Sequence, residues 1–448
     1  MSTQLELPLE AGGAAPQGQR SGEARTATSG HGGSGTDRLM ERAVERGNVQ
    51  RAVKRVRHNK GSPGVDGMTV EELPTYLAAY GEAIRAQVLD GTYQPKPVRV
   101  AEIPKRGGGM RTLGIPSVLD RGIQQSLLQV LQPMIDPTFS AHSHGFRTGR
   151  NAHPTVGEAQ RYIQEGKRVV VDVDLEKFFD RVNHDVLMGR LVQRSADTRG
   201  LGRIRRYLEA GIMANGVVME RDEGTPQGGP LSPLLANVLL DEVDQELEQR
   251  GLSFVRYADD LNVYVRSKRA GEDAMQTLRR LYARWRLRIN EAKSAVARPW
   301  DRKFLGYSFW VAKGRVVKRR IAPTALEAMK QRVRQITDRN GGRSMRARFA
   351  ERRSYLAGWK EYFRLAETPR VFSDLDAWIR HRLRRVQLKQ WKRGTTIYRE
   401  LKRLGAPEDA ARQVAANSRR WWRNSAKLLP TALPTRHYDR MGVPRLAG

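Results

Sequence analysis

Two carboxylates stand side by side inside an apolar run at Tyr257-Ala258-Asp259-Asp260. The flanks, Phe254-Val255-Arg256 and Leu261-Asn262-Val263-Tyr264-Val265, are rich in Val, Tyr and Phe. They read as two short strands with the acidic pair at the turn. Turns commonly carry solvated Asp. Adjacent carboxylates nevertheless repel each other unless a cation lies between them, so the hairpin is a candidate Mg²⁺ platform. A second acidic pair lies in Val169-Val170-Val171-Asp172-Val173-Asp174. Period two puts Asp172 and Asp174 on one face and Val169, Val171 and Val173 on the other. A carboxylate ending a buried strand is costly unless it meets a cation or a donor. Three carboxylates on adjacent strands could hold two Mg²⁺ ions about 3.5–4 Å apart for in-line phosphoryl transfer. Strand alternation does not choose between Asp172 and Asp174 as the third.

The elements that must position these groups follow from pattern and punctuation. A helix is expected from Asp37 to about Val56, and another over 70–90, stopped by Gly91. Val98 to Ile115 reads as a strand pair around the tip Gly107-Gly108-Gly109, with Lys105, Arg106 and Arg111 beside the turn. Residues 120–135 form an apolar helical stretch ended by Pro137, 168–175 a strand, and Glu176 to Leu191 a helical pattern. A long helix runs over 231–250 and ends at Gly251. Strands mixed with helices and hairpins indicate an α+β core. After about Val317 strand signals stop, and 322–338, 344–366, 374–392 and 394–404 read as basic helices. Residues 1–37, rich in Gly, Ser, Thr and Ala, are expected to be disordered.

Composition narrows the class of partner. The 448 residues contain no cysteine, which excludes disulfides and cysteine-based zinc fingers. No signal peptide or membrane-length apolar stretch is evident. Net charge is +32, and residues 301–448 hold 37 Lys and Arg against 12 Asp and Glu, so +25 of the excess lies there. Such a bias points to a polyanion, most naturally nucleic acid. His142, His144 and His153 lack a further ligand set and read as structural.

Seven blocks in order resemble the reverse transcriptase–maturases encoded by group II introns. They are Asn59 to Gly67; Ile103-Pro104-Lys105 with Gly108 to Pro116; Gly145 to Arg150; Asp174-Leu175-Glu176-Lys177-Phe178-Phe179-Asp180; Gly224 to Pro233; the Tyr257 hairpin; and Phe304-Leu305-Gly306-Tyr307. Downstream, Leu356 to Phe363 and the basic stretch from Trp378 to Trp391 resemble the family's maturase domain.

The resemblance implies a right-hand polymerase. Fingers and palm would span 38–317, an all-α thumb and maturase domain 318–395, and a basic DNA-binding region 396–448. It implies metal binding and catalysis by Asp174, Asp259 and Asp260, which settles the choice against Asp172. Nucleotide contacts would come from Lys105, Arg111, Gln227 and Lys293, with Phe179 under the sugar to exclude a 2′-hydroxyl. Asp180 is expected to support structure. In the helical region, Arg382, Arg384, Arg385, Lys389 and Trp391 are the expected RNA and DNA contacts, charges meeting phosphates and aromatics stacking on unpaired bases.

The implied activity is RNA-templated DNA synthesis with two Mg²⁺ ions. The implied partners are the parent intron RNA, a DNA target with its primer, and dNTPs. Splicing and target-primed retrotransposition would follow, in a bacterial cytoplasm and at the nucleoid. The sequence leaves the oligomeric state open. Lacking the cysteines of the family's nuclease domain, the protein is expected to prime from an existing 3′ end. Two rival readings are a domesticated reverse transcriptase used in repair or defence, and a non-enzymatic RNA-folding factor.

Overall fold

The structure is a computed structural model that describes residues 38–447 except 105–108, 196, 215–216, 220–222, 227, 339–344, 420 and 428. Lys105, Gln227 and the 1–37 segment therefore lie outside the described residues. The chain divides into two compact units, the first ending at Arg302 and the second running from Lys303.

Ten strands are described: β1 Val98–Pro104, β2 Met110–Ile115, β3 Val169–Val173, β4 Ile212–Ala214, β5 Val217–Met219, β6 Ser253–Tyr257, β7 Asp260–Val265, β8 Ala295–Ala297, β9 Tyr307–Val311 and β10 Val317–Ile321. The first eight belong to the first unit and form two sheets, ordered β2-β1-β4-β5 and β6-β7-β3-β8. In the second sheet the valine-rich β3 is central, antiparallel to both β7 and β8. Val169, Val171 and Val173 are buried, and so is β7 from Leu261 to Val265, because helices cover this sheet. The helix Lys268–Arg284 packs on β3, β7 and β8, burying Ala274, Met275, Leu278 and Tyr282.

Local rules account for several helix ends. The helix Leu73–Asp90 stops where Gly91 turns left-handed at φ 87°. Ser117 caps the helix Val118–Ile135 by accepting from the Asp120 N–H, and Pro133 sits within that helix. The helix Ser232–Gln249 buries Leu234, Leu235, Val238, Leu239, Val243 and Leu247. A second stripe of that helix, Asn237, Asp241 and Asp244, is also buried, although polar.

Two expectations for this unit are corrected. The stretch expected as one helix up to Val56 is two, Leu39–Ala43 and Arg46–His58, broken at Val44 and Glu45. Glu176 to Leu191 is not a continuous helix. Lys177 adopts φ +48°, a single 3₁₀ turn covers Phe178–Asp180, and a helix starts only at His184, capped by Asn183.

The second unit opens with the antiparallel hairpin β9–β10, pairing Val311 with Val317 and Tyr307 with Ile321. Strand structure thus continues to Ile321. Lys318, Arg319 and Arg320 between the buried Val317 and Ile321 hide the strand from a hydropathy reading. The helices Pro323–Ile336, Met345–Tyr362, Pro369–Trp391 and Gly394–Arg403 follow, close to the expected ranges. Arg380, 1% exposed, pairs with Asp376 and Asp439, and Asp376 also accepts the Leu446 and Ala447 N–H groups. These bonds hold the C-terminal residues onto the helix Pro369–Trp391. No helix among the described residues is long and apolar enough to cross a membrane.

Candidate active site

The β6–β7 hairpin closes with Tyr257 opposite Asp260, leaving Ala258 and Asp259 as a two-residue loop. Ala258 takes φ +57° and Asp259 does not share the positive φ. Positive φ at the first central residue alone is the pattern of a type II′ hairpin turn. The β3–β7 ladder ends at Val173 with Leu261. One further step along that register sets Asp174 beside Asp260. The sequence-derived trio therefore converges at one end of the central sheet.

Charge shows the same convergence. Asp259 is half-buried, Asp174 is partly exposed and Asp260 is exposed. Burial pushes the Asp259 carboxyl above the usual carboxylate range, and the Asp174 carboxylate pushes it the same way, while the Arg111 guanidinium pulls it down. A carboxyl whose ionisation is opposed by a neighbouring carboxylate marks a site short of positive charge. Lys293 supplies some, its Nζ standing 3.1 Å from Asp174 Oδ2. No three acidic or histidine groups among the described residues form a ready-made metal cage. Mg²⁺ does not require one, since it is commonly held by one or two carboxylates together with water and substrate phosphates. The donor set fits a divalent cation.

Asp172 is used differently. Its Oδ2 accepts from Arg302 Nε at 2.7 Å, a pairing that neutralises it. Asp174 is held by its main chain: its N–H donates to Ser294 Oγ at 3.0 Å and its carbonyl accepts from the Asn290 N–H at 2.8 Å. The segment carrying Lys293 is thereby fixed against the strand end.

Phe179 follows Asp174 by five residues. It is half-buried, and its ring packs edge-on against Phe178 and Phe146. Its carbonyl accepts from the Thr225 N–H, and the Val182 carbonyl accepts from Gly224, both at 2.7 Å. The 224–230 segment is therefore tied to the Phe178–Asp180 turn. Its other side lies on β2: a Cβ at Gly228 would meet the Gly114 carbonyl oxygen at 2.8 Å. Gln227 itself is outside the described residues, but its neighbours lie between β2 and the Phe179 turn.

Sequence reasoning gave no role to several residues here. Phe146 is 41% exposed, has φ +61° and leans on Phe179. Exposure of a large apolar ring and a left-handed backbone are both unfavourable, and such strain concentrates at functional sites. Arg256, Asp244, Asn237 and Gly145 form a buried network behind the hairpin, treated below. A cleft of about 880 Å³ is lined by Arg51, Lys54, Arg55, His58 and Arg121. The first four lie on the helix Arg46–His58, in a basic run from Arg51 to Lys60 that is legible in the sequence.

The helical unit corrects two expected RNA contacts. Arg382 and Arg384 are 8% and 7% exposed and face the interior. Arg382 Nε donates to Thr337 Oγ1 at 2.7 Å and its guanidinium lies over the Trp378 ring. Burial, reinforced by Arg385 and Arg334, holds its pKa down to about 10. Arg384 Nε donates to the Leu433 carbonyl at 2.9 Å. These side chains tie helices together and do not present charge to a ligand. Arg385, Lys389 and Trp391 are half-buried, with Arg385 over the Trp422 ring.

Comparison with known proteins agrees with this architecture. Residues 103–309 match the family model described as reverse transcriptase (RNA-dependent DNA polymerase), and 326–405 match the group II intron maturase-specific domain. The chain is 31% identical over 303 residues to protein YkfC of Escherichia coli (strain K12), covering 59% of this chain and 80% of that protein. It is 38% identical over 168 residues to the group II intron-encoded protein LtrA of Lactococcus lactis subsp. cremoris, covering 37% of this chain and 28% of LtrA. It is 30% identical over 224 residues to the retron Mx65 reverse transcriptase of Myxococcus xanthus, covering 44% of this chain and 47% of that protein. The chain thus spans less than half the length of the last two. The fold is the fingers and palm of a reverse transcriptase followed by a helical C-terminal part, as the sequence implied. The chain belongs to the group II intron-encoded reverse transcriptase–maturase family and is an RNA-directed DNA polymerase.

Proposed function

We propose that Asp174, Asp259 and Asp260 are the metal-binding and catalytic residues, and that the protein copies RNA into DNA while binding a parent group II intron RNA. The observation that carries this is the convergence of three carboxylates at one sheet end, with Asp259 raised by burial and by Asp174. Two Mg²⁺ ions held there would activate the primer 3′-hydroxyl and stabilise the leaving pyrophosphate. Around them the chain's own groups take distinct parts. Arg111 offers a cation to the incoming phosphates, with Lys105 as its companion on the same hairpin. Phe179, backed by Phe146, forms the floor under the sugar. Gln227 would contact the nascent pair, as the family resemblance implies. Lys293 pairs with Asp174, and would meet the departing pyrophosphate.

Intron RNA would bind the maturase-specific region, with 318–395 as thumb and maturase domain and 396–448 as the DNA-binding region. Exposed Lys392, Arg393, Arg423 and Arg436 replace Arg382 and Arg384 as its charged contacts. The cleft lined by Arg51, Lys54 and Arg55 supplies a second basic surface on the fingers side. Splicing and target-primed retrotransposition follow from joining these surfaces to the polymerase. Replacing Asp259 or Asp260 with Ala should abolish primer extension on an RNA template and leave filter-binding affinity for intron RNA in place. Polymerisation near the unaltered rate in either variant would refute the site. An unchanged catalytic centre in a protein with no RNA-templated synthesis would favour the RNA-folding factor instead.

A further inference from the structure

The turn bearing Asp259 is held from behind by a polar network that neither the reaction nor hydrophobic packing requires. Arg256 is 1% exposed, Asp244 and Asn237 are 0%. Arg256 Nε lies 2.9 Å from both Asp244 oxygens, and Nη2 donates to Asp244 Oδ2 at 2.5 Å. Nη1 donates to Asn237 Oδ1 at 2.8 Å and to the Ala258 carbonyl at 2.9 Å. The Asn237 amide in turn donates to the Gly145 carbonyl at 2.9 Å. Both the donor and the acceptor of the Arg256 main chain pair with the 142–144 segment: Arg256 N–H to the His142 carbonyl, and the His144 N–H to the Arg256 carbonyl, each at 2.9 Å.

The contact to Ala258 has a specific consequence. In a two-residue hairpin turn, the carbonyl of the first loop residue belongs to the central peptide. Flipping that peptide converts one turn class into another and changes φ at the second loop residue, which here is Asp259. Ala258 at φ +57° has no glycine's freedom, so the turn is a strained one that its surroundings must maintain. Arg256 grips the oxygen of the peptide whose orientation aims the Asp259 side chain. Gly145 closes the other side, lying so near the Tyr257–Ala258 backbone that a Cβ there would collide with it.

A buried ion pair is weak evidence for stability, since apolar residues of similar volume often stabilise as well or better. Its value here lies in direction: four of the five guanidinium N–H groups are spent fixing one turn to one helix. We propose that Arg256, oriented by Asp244 and Asn237, is a positioning residue that locks the turn conformation in which Asp259 can bind metal. This rests on Asp259 being a metal ligand.

The test uses the full-length protein with Arg256→Lys and Asn237→Ala, and with Asp259→Asn alongside. Lysine keeps a positive charge opposite Asp244 but cannot span to both Asn237 and the Ala258 oxygen. Three measurements are made: amide hydrogen exchange of the 254–265 peptide in metal-free protein, Mn²⁺ binding by electron paramagnetic resonance, and primer-extension kinetics. Both variants should exchange faster at the turn, by about tenfold, with other core peptides unchanged. Mn²⁺ should bind more weakly, and kcat should fall by up to about 10²-fold, with KM for dNTP little altered. If Arg256→Lys fails to fold, Asn237→Ala, which leaves the Arg256–Asp244 pair in place, decides. Slow exchange at the turn with unaltered Mn²⁺ affinity in the folded variants overturns the proposal. An active Asp259→Asn protein would instead overturn the metal-ligand reading beneath it.

Discussion

Replacing Gly145 with Ala tests whether the turn's position, rather than its chemistry alone, sets the rate. A Cβ built on Gly145 would stand 2.8 Å from the Tyr257 carbonyl carbon and 3.0 Å from the Ala258 Cα, and closer still to the Ala258 nitrogen. All three are main-chain atoms, so no side chain can swing aside. Ordinary contact begins near 3.4 Å. Either the 144–146 strap or the hairpin tip must therefore retreat by roughly 1 Å, at an overpacking cost of about 1–3 kcal/mol. The strap has little room to yield. Arg147 donates to the Ser140, Ser143 and Asp136 carbonyls, and Arg150 to those of Ala141 and Ser143. The tip therefore moves, carrying Asp259 with it. A displacement of that size at a reacting centre costs about 10²-fold in rate. Single-turnover primer extension at saturating dNTP reads the effect, and urea unfolding separates it from stability. A folded Gly145→Ala protein with kcat within about threefold of the unaltered enzyme would refute the reasoning, because a shift of about 1 Å cannot be that cheap.

Asp259→Asn should inactivate the enzyme yet raise the thermal stability of the metal-free protein. The folded-state pKa of Asp259 lies above its unfolded value, so its ionisation opposes folding above the folded pKa and that penalty is relieved as pH falls through it. Calorimetry in EDTA should show the variant's advantage at neutral pH and its disappearance in acid; an equal or lower Tm at neutral pH would count against the burial argument. Phe179→Ala should raise the efficiency of rNTP relative to dNTP incorporation, and Phe146→Ala should do so to a lesser degree by releasing the Phe179 ring; unchanged ratios for both would make them core residues. Neutralising exposed Lys392, Arg393, Arg423 and Arg436 should flatten the dependence of log affinity on log salt, by up to about one unit per lost phosphate contact. Arg384→Ala should leave that slope intact and lower stability by about 1–3 kcal/mol, since the Leu433 carbonyl loses its donor. A changed salt slope in Arg384→Ala with unchanged urea unfolding would reverse that assignment.

What was legible in the sequence was local. The valine run of β3, the alternation around Asp259 and Asp260, and the glycines that stop helices at 91 and 251 act within a few residues of themselves. Ladder register then brought Asp174 to the acidic turn without further information. Amphipathic helices with many arginines were harder to see. Thr198–Glu209 and Lys268–Arg284 bury one apolar stripe each while charges dominate their composition. Arg382 and Arg384 failed for a related reason: a count of basic residues treats every arginine as surface. Whether a guanidinium meets a phosphate or a carbonyl depends on which neighbouring helix covers it, and Leu433 lies 49 residues from Arg384.

The hairpin support shows the same limit from the other side. Arg256 stands in the most informative stretch of the chain, yet its partners come from Asp244 and Asn237 on a preceding helix and, through Asn237, from Gly145 on a strap 92 residues earlier than Asn237. Nothing in the spacing of these residues marks them as a set. The polar stripe of Ser232–Gln249 would pass in the sequence for a solvated face, because Asn and Asp usually mark one. Its burial becomes intelligible only once the strap offers Ser140 N–H to Asp241 and the Gly145 carbonyl to Asn237. A helix with two buried faces, one apolar and one polar, therefore couples the palm's core to the geometry of its acidic turn. The apolar face makes the sheet stable, and the polar face gives the turn a single orientation, which is what a site of mutually repelling carboxylates needs in order to be ready for a cation.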